Sequence, residues 1–467
     1  MTSRCWEGVR MNRTQIKLQI QNAGASTDGS VLMLNESIIE LWTIPIGQPL
    51  KLCFGSASQE VMVEPSSQGD VLLISSALAS KWGLTRGDEL SVQYQPSTET
   101  LQIGPLIGVM LSHINRKMPS NPFGVNTSFC RELIRASKLD NSIIFFFTHA
   151  DIQRQSDTVN GWRYTNKWVR NRFPTPNVIY NRVTSRKLES LASVQKFITH
   201  AKSRYNTVFF NEKYLNKTEV FQALKQEPEL HVYLPESHLL RNFALLKTMC
   251  SKHNVVFLKP NSGSLGKGII RINRNANTTY TCHFNNFNGV RKQSYTSIEK
   301  LFNAISSKMK KNRYQIQRGL NLLSVGSRPV DFRALVQRDV TGQWSITSIV
   351  ARIAGNQQFV SNQARGGTVT TVKAALSRTR AAAATGGLAK LRRAALLIAK
   401  GIETHMTGHF AELGIDLAID TQGHVWLIEV NSKPSKNDKA PLSATGKIRP
   451  SVTKFVQYAN FSAIISD

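Results

Sequence analysis

Three things are scarce in this 467-residue chain: cysteine, long apolar runs and acidic side chains. The five cysteines, Cys5, Cys53, Cys130, Cys250 and Cys282, are odd in number and include no CxxC pair. That excludes a disulfide framework and a zinc ribbon and leaves ordinary thiols in a reducing compartment. No apolar stretch approaches the roughly 20 residues that span a bilayer, and Ile143 to Phe147 is far too short. Met1 to Gln21 mixes Arg10, Arg13 and Lys17 with polar residues and holds no apolar h-region, so no secretory signal is visible. A soluble, cytoplasmic protein is expected. Acid is outnumbered, 30 Asp+Glu against 59 Lys+Arg, a formal charge of +29. Such a field attracts nucleic acid, anionic polymers or acidic protein tails without fixing which. Thr371 to Lys400 carries Lys373, Arg378, Arg380, Lys390, Arg392, Arg393 and Lys400 with no acidic residue, and reads equally as a docking strip or as the exposed face of an Ala-rich helix. No helix-turn-helix, RRM or zinc-finger signature accompanies the charge, which argues against a nucleic-acid-binding protein.

What is present begins with 41% hydrophobic residues, enough for folded cores, and a length corresponding to about three units. The first hundred or so residues read as short strands: Gln15 to Gln21 alternates, then come Leu50 to Phe54, Val61 to Val63, Leu72 to Ile74 and Leu90 to Tyr94, punctuated by Gly87-Asp88 and Pro96-Ser97. That pattern predicts a small β-barrel or sandwich with no catalytic constellation. From Leu106 the order becomes strand (Ile107 to Leu111), helix (Ser128 to Ser137), strand (Ser142 to Phe147) and strand (Asn177 to Asn181), a small α/β unit. A long polar helix, Ser185 to Tyr205, leads onward. No internal repeat, low-complexity segment or disordered tail is apparent, and shifts of pattern place boundaries near 105 and 195.

The strongest local signal is Val255 to Ile272, where apolar β-formers flank a loop whose glycines, Gly263, Gly266 and Gly268, let the backbone approach phosphate oxygens. A Walker A loop would carry Gly at 261, Ser or Thr at 268 and a helix afterwards; Asn261, Gly268 and the strand Ile269 to Ile272 exclude it. A strand, a loop containing Ser264 and a second strand, entered through Lys259, fit a flap that folds over a nucleotide. The second signal, Gly414 to Pro434, joins two strands through a turn at Thr421 to Gly423. Alternation sets Glu429 and Asn431 on one side, and with Asp416 two carboxylates and an amide oxygen gather at one end of a hairpin. Inside an apolar strand a carboxylate costs several kcal/mol unless compensated. Hard oxygen ligands suit Mg²⁺, which bridges ATP phosphates; the plain alternative pairs Glu429 with a basic residue. Asp420, beside the turn, is expected to be exposed. Between the two signals, Arg333 and Arg352 stand in strands that would not tolerate an unpaired charge, and their planar forks of donors suit phosphoryl oxygens. His405 and His409 lie at i, i+4, but without the internal Glu of HExxH they read as surface or core residues.

The order of these features, a lysine and glycine flap, a hinge, Asp-x-Arg, Arg, Asn-x-x-x-Gly-Gly, then Asp with Glu-x-Asn thirteen and fifteen residues on, resembles the ATP-grasp superfamily over roughly residues 196 to 467. Asp331 to Gly367 is most similar to the ligases that add glutamate to ribosomal protein tails, and the whole chain resembles the YheC/YheD family of endospore-forming bacteria, described as spore coat-associated. The resemblance implies an α/β (α+β) ATP-grasp fold at 196–467, preceded by a small α/β unit at 106–195 and an all-β domain at 1–105. It implies an ATP-dependent ligase that forms an amide from a carboxylate substrate and an amine acceptor through an acyl phosphate, with ATP and Mg²⁺ as cofactors. Residue by residue, Lys217 and Lys259 match the phosphate-binding lysines, with Lys213 near enough to Lys217 for a register slip to exchange them. Gln317, Arg318, Gly319 and Leu320 match the adenine hinge, with Asp331 beyond it in the nucleotide site. Arg333, Arg352 and Asn362 match the groups around the transferred phosphoryl, and Asp416, Glu429 and Asn431 the metal ligands. The basic charge leaves an acidic peptide, protein or polymer as a candidate substrate. Two readings of other classes stand beside the ligase: a coat component that binds ATP without turnover, and a basic nucleic-acid-binding protein.

Overall fold

The computed structural model describes residues 13–21, 30–153, 157–261, 267–286, 289–355, 366–379, 385–436 and 448–465. They form two compact units: the first gathers Met1–Lys213, Arg338–Gln343 and Thr445–Asp467, the second Tyr214–Gln337 and Trp344–Ala444.

The first unit opens with a closed barrel of seven strands, β1 (Arg13–Gln21), β2 (Val31–Asn35), β3 (Pro49–Phe54), β4 (Ala57–Ser66), β5 (Val71–Ser75), β6 (Glu89–Gln95) and β7 (Thr100–Gly104), in the order β1-β5-β2-β4-β3-β7-β6. Contrary to the reading of the sequence, it contains a repeat. β1, β2, a helix and β3 recur as β4, β5, a helix and β6. The helix Glu36–Trp42 is capped by the Asn35 side chain and the helix Ser76–Trp82 by Ser75, and both end in a left-handed residue, Thr43 or Gly83. Pairing repeats with them: Lys17 faces Val71 as Met62 faces Val31, and Lys17 faces Glu89 as Met62 faces Pro49. β2 and β5 meet antiparallel through Met33 and Leu73, on the pseudo-twofold. From Val31 to Phe54 the offset to the second copy is a constant 40 residues, yet few identities survive, among them Trp42/Trp82, Gly47/Gly87 and Leu50/Leu90. Burial is conserved where identity is not, because a barrel interior asks only for apolar volume.

A second sheet of the first unit runs β11 (Trp168–Pro174), β10 (Thr158–Tyr164), β9 (Ile143–Thr148), β8 (Leu106–Leu111), β12 (Val178–Asn181) and β13 (Val208–Phe210). β8, β9, β12 and β13 are parallel. Continuous apolar runs such as Ile143 to Phe147 follow from burial on both faces. The β10–β11 hairpin was not visible in the sequence, because an inward position is held by Arg163, whose charge is matched by buried Asp88 through Nη1 to Oδ2 at 2.7 Å. The long polar helix expected from Ser185 to Tyr205 is instead two, Arg186–Glu189 and Ala192–Tyr205, broken where Leu191 takes an extended backbone.

The second unit carries two sheets. One runs β14 (Ser237–Leu240), β19 (Tyr314–Arg318), β15 (Val255–Pro260), β16 (Ile270–Arg274), β17 (Tyr280–Asn286), β18 (Gly289–Tyr295). The other runs β23 (Thr368–Thr371), β22 (Trp344–Ile353), β21 (Arg328–Arg338), β24 (Glu412–Ile419), β25 (Val425–Asn431), with β20 (Ser324–Val325) paired to β21. The helix Gly387–His405 lays Leu391, Ala394, Ile398 and Ile402 on the core of this sheet and turns Arg392, Arg393 and Lys400 to solvent. Among the described residues no helix is long and apolar enough to cross a membrane.

Candidate functional site

The site grows from the β24–β25 hairpin. Asp416 stands opposite Glu429, with a bulge immediately after Asp416, and Asn431 stands opposite Gly414. Residues two apart on a strand share a face, so Glu429 and Asn431 project with Asp416. On the other side of β24, Arg333 of β21 lies in register with Asp416. Its guanidinium grips both carboxylate oxygens, Nε on Oδ1 and Nη2 on Oδ2 at 3.0 Å. Gly414 makes room for it: a Cβ there would meet Arg333 Nη1 at 3.4 Å and the Cβ of Pro434 at 3.0 Å. Arg352 of β22 forks onto Asp331, Nε to Oδ1 at 2.6 Å and Nη2 to Oδ2 at 2.8 Å, and reaches Asp416 Oδ2 at 2.9 Å. Burial alone would raise the Asp416 pKa, but Arg333 and Arg352 together hold it down at about 2.

Two lysines complete the cluster. Lys217 is the first residue of the helix Lys217–Leu224, whose N-terminus is capped by Asn216, and its Nζ donates to Glu429 Oε1 at 2.7 Å. Thr218 Oγ1 is bonded to Asn261 Oδ1 at 3.0 Å, tying that helix to the end of β15. Lys259, on β15, is 9% exposed and donates to Gln317 Oε1. Burial pushes its pKa down to about 8, opposed by Glu429 and aided by the like charge of Lys217. The Nε2 of Gln317 is buried with no partner among the described residues, an orphan donor beside an ammonium.

The hinge follows β19. Its first N–H groups are occupied: Arg318 donates to the Glu236 carbonyl at 3.0 Å and Gly319 to Val255 at 2.7 Å. Leu320 N–H has no acceptor among the described residues. Gly319 is required by the close approach, since a Cβ would stand 2.9 Å from the Val255 carbonyl oxygen and 2.7 Å from its side chain. Arg318 spreads its guanidinium over Trp426 at 4.4 Å. Gly268 adopts a left-handed backbone at the end of the flap loop. Gly263, Ser264, Gly266 and Asn362 lie outside the described residues.

The structure thus brings Lys217, Lys259, Gln317, Asp331, Arg333, Arg352, Asp416 and Glu429 into one connected set. Asp420 departs from expectation. It is 8% exposed and builds the turn, accepting from Gln422 N, His424 N and Trp426 Nε1. Sequence reasoning also missed a buried network on the same sheet. Lys436 Nζ donates to Glu412, Gln337 Nε2 donates to the same oxygen at 3.1 Å, and Thr347 Oγ1 bonds Gln337 Oε1 at 2.7 Å. The available signal was Glu412 opening a strand that is apolar apart from Asp416, the same kind of anomaly that marked Glu429.

Among the described residues no three of His, Cys, Asp and Glu converge as a ready-made metal cluster. The face nevertheless offers two carboxylates and an amide oxygen. A carboxylate has about four lone-pair directions; three are taken at Asp416 and one at Glu429. Acceptor capacity for a hard divalent ion therefore remains, provided other oxygens complete the shell.

A family model described as YheC/D like ATP-grasp matches residues 206–461. The chain is 28% identical over 339 residues to the endospore coat-associated protein YheD of Bacillus subtilis (strain 168), covering 72% of this chain and 74% of that protein. It is 23% identical over 303 residues to the endospore coat-associated protein YheC of the same organism, covering 62% and 80%. Among solved structures, VanG D-Ala:D-Ser ligase from Enterococcus faecalis is similar with a TM-score of 0.46 at 10% identity, over 78% of this chain and 100% of that one.

Proposed function

The chain belongs to the YheC/D-like ATP-grasp family, and from that premise we propose that it is an ATP-dependent carboxylate–amine ligase. The observation that carries the proposal is the convergence of four cations, Lys217, Lys259, Arg333 and Arg352, on the carboxylates Asp331, Asp416 and Glu429 across two sheets of one unit. A buried lysine pushed down to about 8 beside an orphan amide donor supports a site for an anionic ligand.

In this reading Lys217 and Lys259 bind phosphate oxygens, Lys259 exchanging Gln317 for the nucleotide. The hinge carbonyls and the Leu320 N–H read the adenine edge. Asp416, Glu429 and Asn431 would hold Mg²⁺, which would supply positive charge against the phosphates. The substrate carboxylate attacks the γ-phosphorus, ADP leaves, and the resulting acyl phosphate loses inorganic phosphate to an amine, which gives up a proton as the amide forms. Arg333 and Arg352 serve the transfer because Asp331 and Asp416 already fix them, so little reorganisation accompanies the change in charge. For Gly263, Ser264, Gly266 and Asn362, outside the described residues, the family resemblance supports the roles of phosphate cover and phosphoryl contact, with Gly268 closing the loop. The cytoplasm supplies ATP, and association with a spore coat fits the relatives' description.

The test is ADP release with ATP, Mg²⁺ and a panel of amino acids, peptides and acidic polymers as carboxylate and amine. Turnover on one pair, abolished in Glu429→Gln, supports the ligase. ATP binding without turnover on any pair supports the second reading, a coat component that uses the nucleotide structurally.

A further inference from the structure

We propose that the first unit carries a recognition groove for an acidic peptide, walled by the helix Thr127–Leu139 and independent of the nucleotide site. A cleft of about 690 Å³ opens along this helix. Its floor is partly apolar, with Ile134 on the helix and Val125, 76% exposed, in the turn before it. Arg131, Arg135 and Lys138 line the same cleft and are exposed. Their spacing of four and three residues puts them on one helical face, spread over about 10 Å of axis. An extended peptide repeats its same-side carboxylates every 6–7 Å or so, so this row can meet two of them.

Among the described residues no acidic side chain lines the cleft. The carboxylates nearest in sequence are engaged elsewhere in the unit: Glu132 is bound by Arg449, Nε to Oε2 at 2.7 Å, and Asp140 accepts from Asn460 Nδ2 at 2.9 Å. Arg131 is also pre-positioned, donating to the Ser120 carbonyl at 2.9 Å with its guanidinium over the Tyr164 ring at 5.6 Å. Cations held this way lose less freedom on binding.

The groove favours peptide over single-stranded nucleic acid. Bases bind by stacking on open aromatic faces, but the Tyr164 ring is occupied by Arg131 and by the edge of Trp168 at 5.1 Å. A row of three cations also neutralises too few phosphates for strong backbone binding. A ligand of carboxylates and apolar side chains uses both the charged rim and the apolar floor.

The experiment is fluorescence anisotropy of a short labelled oligoglutamate containing interspersed leucines, against its glutamine counterpart and a single-stranded oligonucleotide, with the full chain and no ATP. The peptide is expected to bind, its glutamine version not, and the triple variant Arg131→Ala, Arg135→Ala, Lys138→Ala to weaken binding roughly 10-fold or more. Replacing the equally exposed Arg392, Arg393 and Lys400 by Ala should leave it unchanged, which separates a groove from the general attraction of a +29 chain. Equal losses in the two triple variants, tighter binding of the oligonucleotide, or no binding of the acidic peptide overturns the proposal. Should the first triple variant fail to fold, Lys138→Glu alone carries the same comparison. Because binding is read without nucleotide, its failure leaves the ligase proposal standing, and the converse holds.

Discussion

Lys259 is kept within an ammonium's reach of Gln317 while burial drives its proton off at about 8. With its folded value below the ordinary 10.5 of the free side chain, the unfolded chain binds more protons between the two, so this lysine makes stability rise as pH climbs from about 8 towards 10.5. Its charge is needed for phosphate, so ATP affinity should move the opposite way, falling as pH passes about 8. Calorimetric titration at two pH values, with Lys259→Met as reference, checks this: a parallel decline in the variant would assign the pH effect elsewhere. Asp416 has the complementary sign. Its contribution is complete above its ordinary 3.8 and is lost as pH falls through about 2; Asp416→Asn should flatten that part of an acid-unfolding profile. Glu429, Arg333 and Arg352 were legible from the sequence as ions in apolar strands, Asp416 as part of the hairpin and Lys259 as the entry to the glycine loop. Their partners were not, since Lys217 and Glu429 lie 212 residues apart and Arg333 and Asp416 83.

At the scale of elements, the β24–β25 turn is held by Asp420 through two backbone N–H groups and the Trp426 indole. Asp420→Ala leaves these donors unmet in a nearly closed turn and should cost about 1–3 kcal/mol, measured by urea unfolding; an unchanged midpoint would mean that water replaces the carboxylate. The expectation of an exposed Asp420 failed because alternation gives a face, not the local hydrogen bonding that draws an acid inward beside a turn. The same limit hid the β10–β11 hairpin behind Arg163. The barrel repeat escaped for another reason: its copies conserve burial, caps and left-handed turns, which identity does not register. The strands flanking the glycine loop and the β24–β25 hairpin were read well, since both stand out as largely apolar runs interrupted by a few charged residues.

At the scale of the whole molecule, the first unit is discontinuous in sequence. The helix Pro450–Ile465 belongs to it, with Tyr180 stacked on Phe455 at 4.1 Å, Phe210 on Tyr458 at 4.9 Å, and Arg449 bound to Glu132. Deleting residues 448–465 should therefore lower the thermal midpoint of the first unit, seen as an early loss of its near-ultraviolet tryptophan signal; an unchanged midpoint would deny the helix that role. No single stretch of sequence announces this return, because it rests on contacts between residues more than 240 apart. Net charge was legible at once, but not its distribution, and the helix facing Arg392, Arg393 and Lys400 to solvent shows that part of the basic strip is an exposed helical surface.

The central claim is that the Lys217, Lys259, Asp416 and Glu429 cluster is the nucleotide site, and titration of ATP into the purified chain with and without Mg²⁺ tests it most directly. The account predicts Mg²⁺-dependent binding that weakens at least about 10-fold in Glu429→Gln while the thermal midpoint stays close to that of the parent. Undetectable binding to the parent, or binding indifferent to both Mg²⁺ and Glu429, would contradict it.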